Sequence, residues 1–135
     1  MLLCPVTDCD LTRSSYLACG DNYMLSAGVM KWFWDAYLPD ESQRRNPKAS
    51  PLHAASLAGL PPAVVVTCEF DPLADEGAAY AEAMANAGVE VHHIRARGHI
   101  HTSLTAVDAM LSGASVRAEM TAGIRRLLTT PAMVG

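Results

Sequence analysis

The sequence has no apolar run near the roughly 18 residues needed to span a bilayer, so no membrane partner is expected. Basic clusters are also missing: apart from Arg44-Arg45 and Arg125-Arg126 the ten bases are scattered. With fourteen acids and a net charge of -4, a nucleic-acid partner is not expected. No Cys-x-x-Cys occurs, and Cys4, Cys9, Cys19 and Cys68 fall at none of the usual metal-ligand spacings, so neither a metal nor another cofactor is expected. The opening residues lack the charged lead and long apolar core of a secretion signal, which makes the cytoplasm the expected location and reduced thiols the expected state. Internal repeats and low-complexity tracts are absent too.

What is present is a chain of 135 residues, half of them apolar. That length suits one domain with a sizeable core. Its centre is the stretch from 63 to 101. Val64, Val65 and Val66 are apolar on consecutive positions, so both faces of that strand are expected to be covered, as in a parallel sheet; Cys68 reads as a small core residue on it. Asp71 follows, just past the strand's end. From Leu73 or Ala74 to Ala87 the pattern turns helical, with Ala78, Tyr80, Ala81, Ala83, Met84 and Ala87 as an apolar stripe and Gly88 as the stop. Asp75 and Glu76 read as first-turn charges at the positive end of the helix dipole. Glu90 to Ala96 then alternates as a second strand. Such a crossover puts the C-terminal ends of both strands on one edge of the sheet, where open α/β sheets bind ligands. The loop holding Asp71 and the loop holding Gly98-His99-Ile100-His101 are therefore expected to meet. An acid before a proline is also an ordinary residue at the start of a helix, so Asp71 alone would not establish a site.

The remaining segments frame this unit. Met1 to Val6 reads as a buried strand with no lead-in, and Thr7 to Asn22 as polar loop. Ser26 is placed to cap a helix from Ala27 to Leu38, on which Met30, Phe33, Trp34, Tyr37 and Leu38 recur at helical spacing. Trp32 and Trp34, two positions apart, cannot share a helix face, so one of them is a candidate pocket wall or lid. Pro39 to Pro62 holds five of the eight prolines and reads as an irregular crossing segment. Thr102 to Leu111 is weakly helical, and a last helix follows the break at Ser112-Gly113. It carries Val116, Met120, Ile124, Leu127 and Leu128 on one face and stops at Pro131. His92 and His93 alternate across their strand and read as structural; His53 has no evident partner.

Several stretches carry a family resemblance: Pro5-Val6-Thr7-Asp8, Lys31-Trp32-Phe33-Trp34, Tyr37-Leu38-Pro39-Asp40, Ala49-Ser50-Pro51-Leu52, Gly59-Leu60-Pro61-Pro62-Ala63 and, most specific, Glu69-Phe70-Asp71-Pro72-Leu73-Ala74-Asp75-Glu76-Gly77. In this order the chain resembles the C-terminal half of the hormone-sensitive-lipase-like carboxylesterases of the α/β-hydrolase fold, from about Leu2 to Leu128. The resemblance implies an α/β fold class: a partial α/β-hydrolase domain over 1–135, with a few parallel strands, flanking helices and part of the cap. It also implies a Ser, Asp, His triad in that chain order. The acid falls on Asp71 and the base on His101, with Trp34, Leu73 and His99 as substrate-binding candidates and His99 at the pocket mouth. Where the family has Gly and an aromatic after the histidine, this chain has Thr102 and Ser103.

The nucleophile elbow, Gly-x-Ser-x-Gly, does not occur in the 135 residues, nor does a His-Gly-Gly-Gly oxyanion loop. Met24-Leu25-Ser26-Ala27-Gly28 has only the trailing glycine and Gly113-Ala114-Ser115-Val116-Arg117 only the leading one. In the family both features precede the strand with which this chain opens, so the nucleophile-bearing N-terminal half is expected to be absent. The implied function is hydrolysis of short acyl esters, with this chain supplying acid and base. The alternative is a catalytically silent remnant acting as a binding or dimerisation module, since related esterases often pair through the strand and helix after the acid, which makes the 90–96 strand the expected association edge. A weaker reading gathers His99, His101, Asp71 and His93 into a metal site.

Overall fold

The β-branched run after the proline-rich segment forms the middle strand of a parallel three-stranded sheet. In the computed structural model, which describes residues 1–129, this strand is flanked by a short first strand, β1 (Leu2–Leu3), and by β3 (Val91–Ile100). The middle strand, β2 (Ala63–Phe70), pairs Leu2 with Val65 and Leu3 with Val66 on one side, and Ala63 with Val91 on the other. Helices α1 (Ser14–Cys19), α2 (Ala27–Tyr37), α3 (Ala74–Asn86) and α4 (Ala114–Thr129) complete the regular structure, with short 3-10 turns between them.

Both faces of β2 are buried, as three consecutive valines require. Val64, Val66 and Cys68 point to one side with Ile94, Ala96 and Met120, where Val116, Ile124 and Leu127 of α4 close the layer. Val65 points to the other, packed with Tyr80, Ala81 and Met84 of α3. At Gly77 a Cβ would stand 2.8 Å from Thr67 Cγ2, so only glycine lets α3 approach the strand this closely. The same helix ends on Gly88, at a φ of 83°. There the amide of Val89 reaches the Met84 carbonyl and the amide of Gly88 the Ala85 carbonyl, a paired closure of the last turn.

Several sequence expectations change. The opening strand is shorter than Met1 to Val6: Cys4 donates the last ladder bond to Val66, takes a φ of 45°, and is followed by Pro5, which has no N–H to offer. The supposed loop Thr7 to Asn22 contains α1. Its first turn is held from outside, because the Ser15 amide donates to Asp75 Oδ2 at 2.8 Å and its hydroxyl to the Pro72 carbonyl at 2.5 Å. β3 runs past Ala96 to Ile100. Within Pro39 to Pro62 lie 3-10 turns at Glu41–Gln43 and Pro51–His53, and Thr102 to Leu111 holds one at Ser103–Thr105. Leu128 is exposed rather than on the packed face of α4, and Pro131 lies outside the described residues. The cap on α2 is as expected, with Ser26 Oγ accepting from the Val29 amide.

Glu76 departs most from its expected role. Rather than a solvated first-turn charge, it is 0 % exposed. Its Oε1 accepts from the amides of Thr7 at 2.6 Å and Asp8 at 3.2 Å, tying the segment after β1 to α3. Asp8 in turn pairs with Arg13 and with His53 Nε2 at 2.7 Å, which supplies the partner His53 lacked in the sequence. Burial would push the Asp8 carboxyl up, but the bonds from Arg13 and His53 hold it below the usual range. Among the described residues no cation forms an ion pair with Glu76; Arg13, bound to Asp8, acts on it only from a distance. Glu76 Oε2 and the nearby Tyr16 hydroxyl are buried without hydrogen-bond partners among the described residues. Burial therefore outweighs the two amide bonds and raises its carboxyl to about 7.

A carboxyl raised on folding favours the protonated native state. Its contribution is complete below the unfolded value of 4.5 and is lost as pH climbs through about 7, up to about 3 kcal/mol. Glu76→Gln keeps the accepting oxygen and removes the titration. Its urea midpoint should lie above that of the parent at pH 8 and the gap should close at pH about 4; equal pH slopes in the two proteins would contradict this.

Candidate active site

Two loops at the C-terminal ends of β2 and β3 build the site, and a change of register decides which residues meet. From Ala63 to Cys68 each β2 residue faces a β3 residue 28 positions on, Val91 to Ala96, whereas Phe70 faces Ile100, 30 positions on. The extra residues lie in β3 at Gly98, whose φ of 74° suits glycine, and the Gly98 amide donates to Glu69 Oε2 at 2.8 Å. Without this bulge Asp71 would come level with His99. With it, Asp71 meets His101.

His101 Nδ1 and Asp71 Oδ2 are 2.8 Å apart, with Asp71 fully buried and His101 partly exposed. The other Asp71 oxygen accepts from the Leu73 amide at 2.9 Å, so the carboxylate is held from both sides. Burial pulls the His101 imidazole down, but the Asp71 carboxylate and the neighbouring Cys4 thiol outweigh it and raise it to about 9. A ring whose Nδ1 is bound to a buried carboxylate keeps Nε2 as the nitrogen that can take or give a proton. Thr102, directly after His101, adopts a φ of 56°. The left-handed turn is thus kept with threonine where the resembling family has glycine, at a cost of about 1 kcal/mol.

A cavity of about 410 Å³ opens beside this pair, walled by Met30, Trp34 and Tyr37 of α2 together with Leu73, Cys4 and His101. Of the two tryptophans, Trp34 is the wall, 4 % exposed with its indole N–H unpaired, while Trp32 is 64 % exposed. Trp34 and Leu73 line this cavity; His99 does not. It is 4 % exposed, absent from the cavity lining, and its Nδ1 lies 3.1 Å from Ser103 Oγ in the turn that folds beneath it. His93 binds Thr67 Oγ1 at 3.0 Å and His92 faces Glu119, so the histidines are not assembled around Asp71 as a metal site would need. Among the described residues, the groups of three or more donors lying within 4.8 Å of one another are Cys4, Cys68, Asp71 and Asp8, Cys9, His53. Sequence spacing gave no sign of either group, because their members come from separate elements. Among the described residues no serine hydroxyl is hydrogen-bonded to His101, and Ser26 is engaged as a helix cap.

Residues 1–105 match the family described as alpha/beta hydrolase fold. Among similar curated proteins, an ethyl acetate hydrolase of Pseudomonas putida is 36 % identical over 91 residues, covering 67 % of this chain and 29 % of its own length. An arylesterase of Saccharolobus solfataricus is 46 % identical over 68 residues, covering 50 % and 22 %. The chain thus spans less than a third of the length of these relatives. Among solved structures, an ester hydrolase from the metagenome of Lake Arreo superposes with a TM-score of 0.81 at 35 % identity, over 90 % of this chain and 39 % of that one. A thermostable esterase from Pseudomonas putida superposes at 0.73 and 43 % identity, over 86 % and 40 %.

The Asp71 contact carries a measurable signature. A histidine raised by a partner contributes stability that is complete below 6.5 and is lost as pH rises through about 9. By histidine NMR titration His101 should therefore titrate on the alkaline side. In Asp71→Asn it should fall well toward the ordinary 6.5, because burial is then opposed by the Cys4 thiol alone. An unmoved titration in that variant would contradict the pairing.

Proposed function

The chain belongs to the alpha/beta hydrolase fold family, and on that premise we propose that it is the acid- and base-bearing part of a hydrolase of short-chain carboxylic esters. The observation that carries this is the 2.8 Å bond between His101 Nδ1 and Asp71 Oδ2 at the wall of an apolar cavity. Relatives named as ethyl acetate hydrolase and arylesterase support the ester as substrate. In this reading a serine from outside these 135 residues is the nucleophile. His101 Nε2 takes its proton during attack on the acyl carbon and returns it to the departing alcohol, and Asp71 fixes the tautomer and stabilises the imidazolium. Trp34 and Leu73 contact the substrate from the cavity wall. Their apolar surface suits an acyl chain.

A second reading, assembly of two copies along β3, rests on that strand being an outer strand of the sheet with His93, Arg95 and Arg97 exposed. Sedimentation should then show a concentration-dependent doubling of mass, and a monomer at every concentration would remove this reading.

For the esterase reading the chain is incubated with p-nitrophenyl acetate and a fluorophosphonate probe, alone and joined to a segment carrying Gly-x-Ser-x-Gly. The expected result is no labelling of the chain alone, and labelling of the added serine with turnover in the joined protein. Labelling of any serine within the 135 residues would refute the assignment. Asp71→Asn should lower kcat by about 10⁴, the size of the loss in the serine-protease case. Because the base must be neutral to accept a proton, kcat/KM should climb with pH toward about 9.

A further inference from the structure

Two thiols, Cys4 and Cys68, stand beside Asp71, and neither transfers a proton in the ester hydrolysis proposed above. Cys4 Sγ and Cys68 Sγ are 3.5 Å apart, and with an Asp71 carboxylate oxygen they form a set of three donors within 4.8 Å of one another, all three residues buried. Cys4 directly follows β1 and is bonded to Val66, Cys68 lies on β2 and Asp71 on the loop beyond it, so the sheet itself holds the set together. Cys4 also borders the cavity beside His101, which gives the cluster a way in. The sulfur separation decides between two chemistries. It is close to the roughly 3.8 Å edge of a tetrahedron with metal–sulfur bonds of about 2.3 Å, whereas a disulfide needs about 2.05 Å. Closing to that length would pull together strands already fixed by the Cys4 to Val66 ladder bond. The other donor group, Asp8, Cys9 and His53, is a poorer cation site because the Arg13 guanidinium already occupies Asp8.

We propose that Cys4, Cys68 and Asp71 form a binding site for a thiophilic divalent cation of the zinc type, and that occupation takes Asp71 away from His101. On binding, two thiol protons pass to solvent, and two thiolates and one carboxylate bond to the ion. Water from the cavity side fills the fourth position. Three negative ligands face two positive charges, so the site needs no further anion. The carboxylate that orients the imidazole is then committed to the ion, and the pair is silenced. The silencing rests on the esterase reading; the binding does not.

Cadmium is the probe, added to the full chain under reducing, chelator-free conditions. One equivalent should bind, with the ultraviolet thiolate-to-cadmium band, a cadmium magnetic resonance shift in the two-thiolate range, and loss of the His101 Nδ1 proton signal shared with Asp71. Cys4→Ser combined with Cys68→Ser should weaken binding by more than about 100-fold, since changes in outer-shell partners alone cost about 10- to 100-fold. Cys9→Ser and Cys19→Ser should leave it intact. A resonance in the one-thiolate range, a His101 proton signal that survives saturation, or binding abolished by Cys9→Ser would each overturn the proposal. The resonance is read on the unsubstituted chain, so a double variant that fails to fold does not blunt the test. None of these readouts needs turnover, so their failure and the failure of the esterase reading are separate results.

Discussion

The molecule depends on two extra residues in one strand. β2 and β3 run in step for six pairs, then the bulge at Gly98 moves the partner of each later β2 residue two positions along. A side chain at the end of β2 therefore meets His101 and not His99, although the two histidines look interchangeable in Gly98-His99-Ile100-His101. The displaced His99 turns under the loop to Ser103, where it supports the turn that presents His101. Bulges beside functional sites re-aim side chains in this way, and here the bulge selects which imidazole meets the acid.

The acid needs its own support, and α3 provides it. Asp71 sits at the entrance of that helix, so any movement of α3 against the sheet would shift the carboxylate. Gly77 lets the helix lie close to Thr67, and Glu76 binds the backbone of the segment after β1 to the same first turn. Asp75 holds α1 from the next position. Consecutive residues of one helical turn thus clamp Asp71, the start of the chain and the helix leading to the cavity wall. The unpaired Glu76 Oε2 is the cost of this arrangement, since desolvation of a carboxylate without a counterion favours its protonated form.

One carboxylate stands within reach of two kinds of partner. Asp71 is bonded to an imidazole on the cavity side and lies near two thiols on the sheet side. Its Oδ2 faces the imidazole and its Oδ1 accepts from the Leu73 amide. The proximity follows from strand geometry: residues at the C-terminal ends of adjacent parallel strands converge on one edge, whatever their distance in the chain.

Much of the scaffold could be read in advance, for reasons local to each segment. Three consecutive valines specify a doubly covered strand, the alanine stripe ending at Gly88 specifies α3, and Ser26 announces α2, because periodicity and caps act over a few residues. Asp71 and the two histidines of Gly98-His99-Ile100-His101 could be singled out as candidates in the same way. α1 was not legible, because its first turn is held by Asp75, sixty residues from Ser15, and a short polar helix has no signal of its own. Nor was the burial of Glu76, whose partners lie on the segment after β1, or the meeting of Cys4 with Cys68. A family resemblance favoured His101 over His99, whereas spacing alone left the two equivalent. By itself the sequence determined where β2, α2, α3 and α4 lie and which side chains can do chemistry, since those depend on near neighbours. Only the tertiary structure decided which of them touch, because register and burial are set by contacts between strands and helices far apart in the chain.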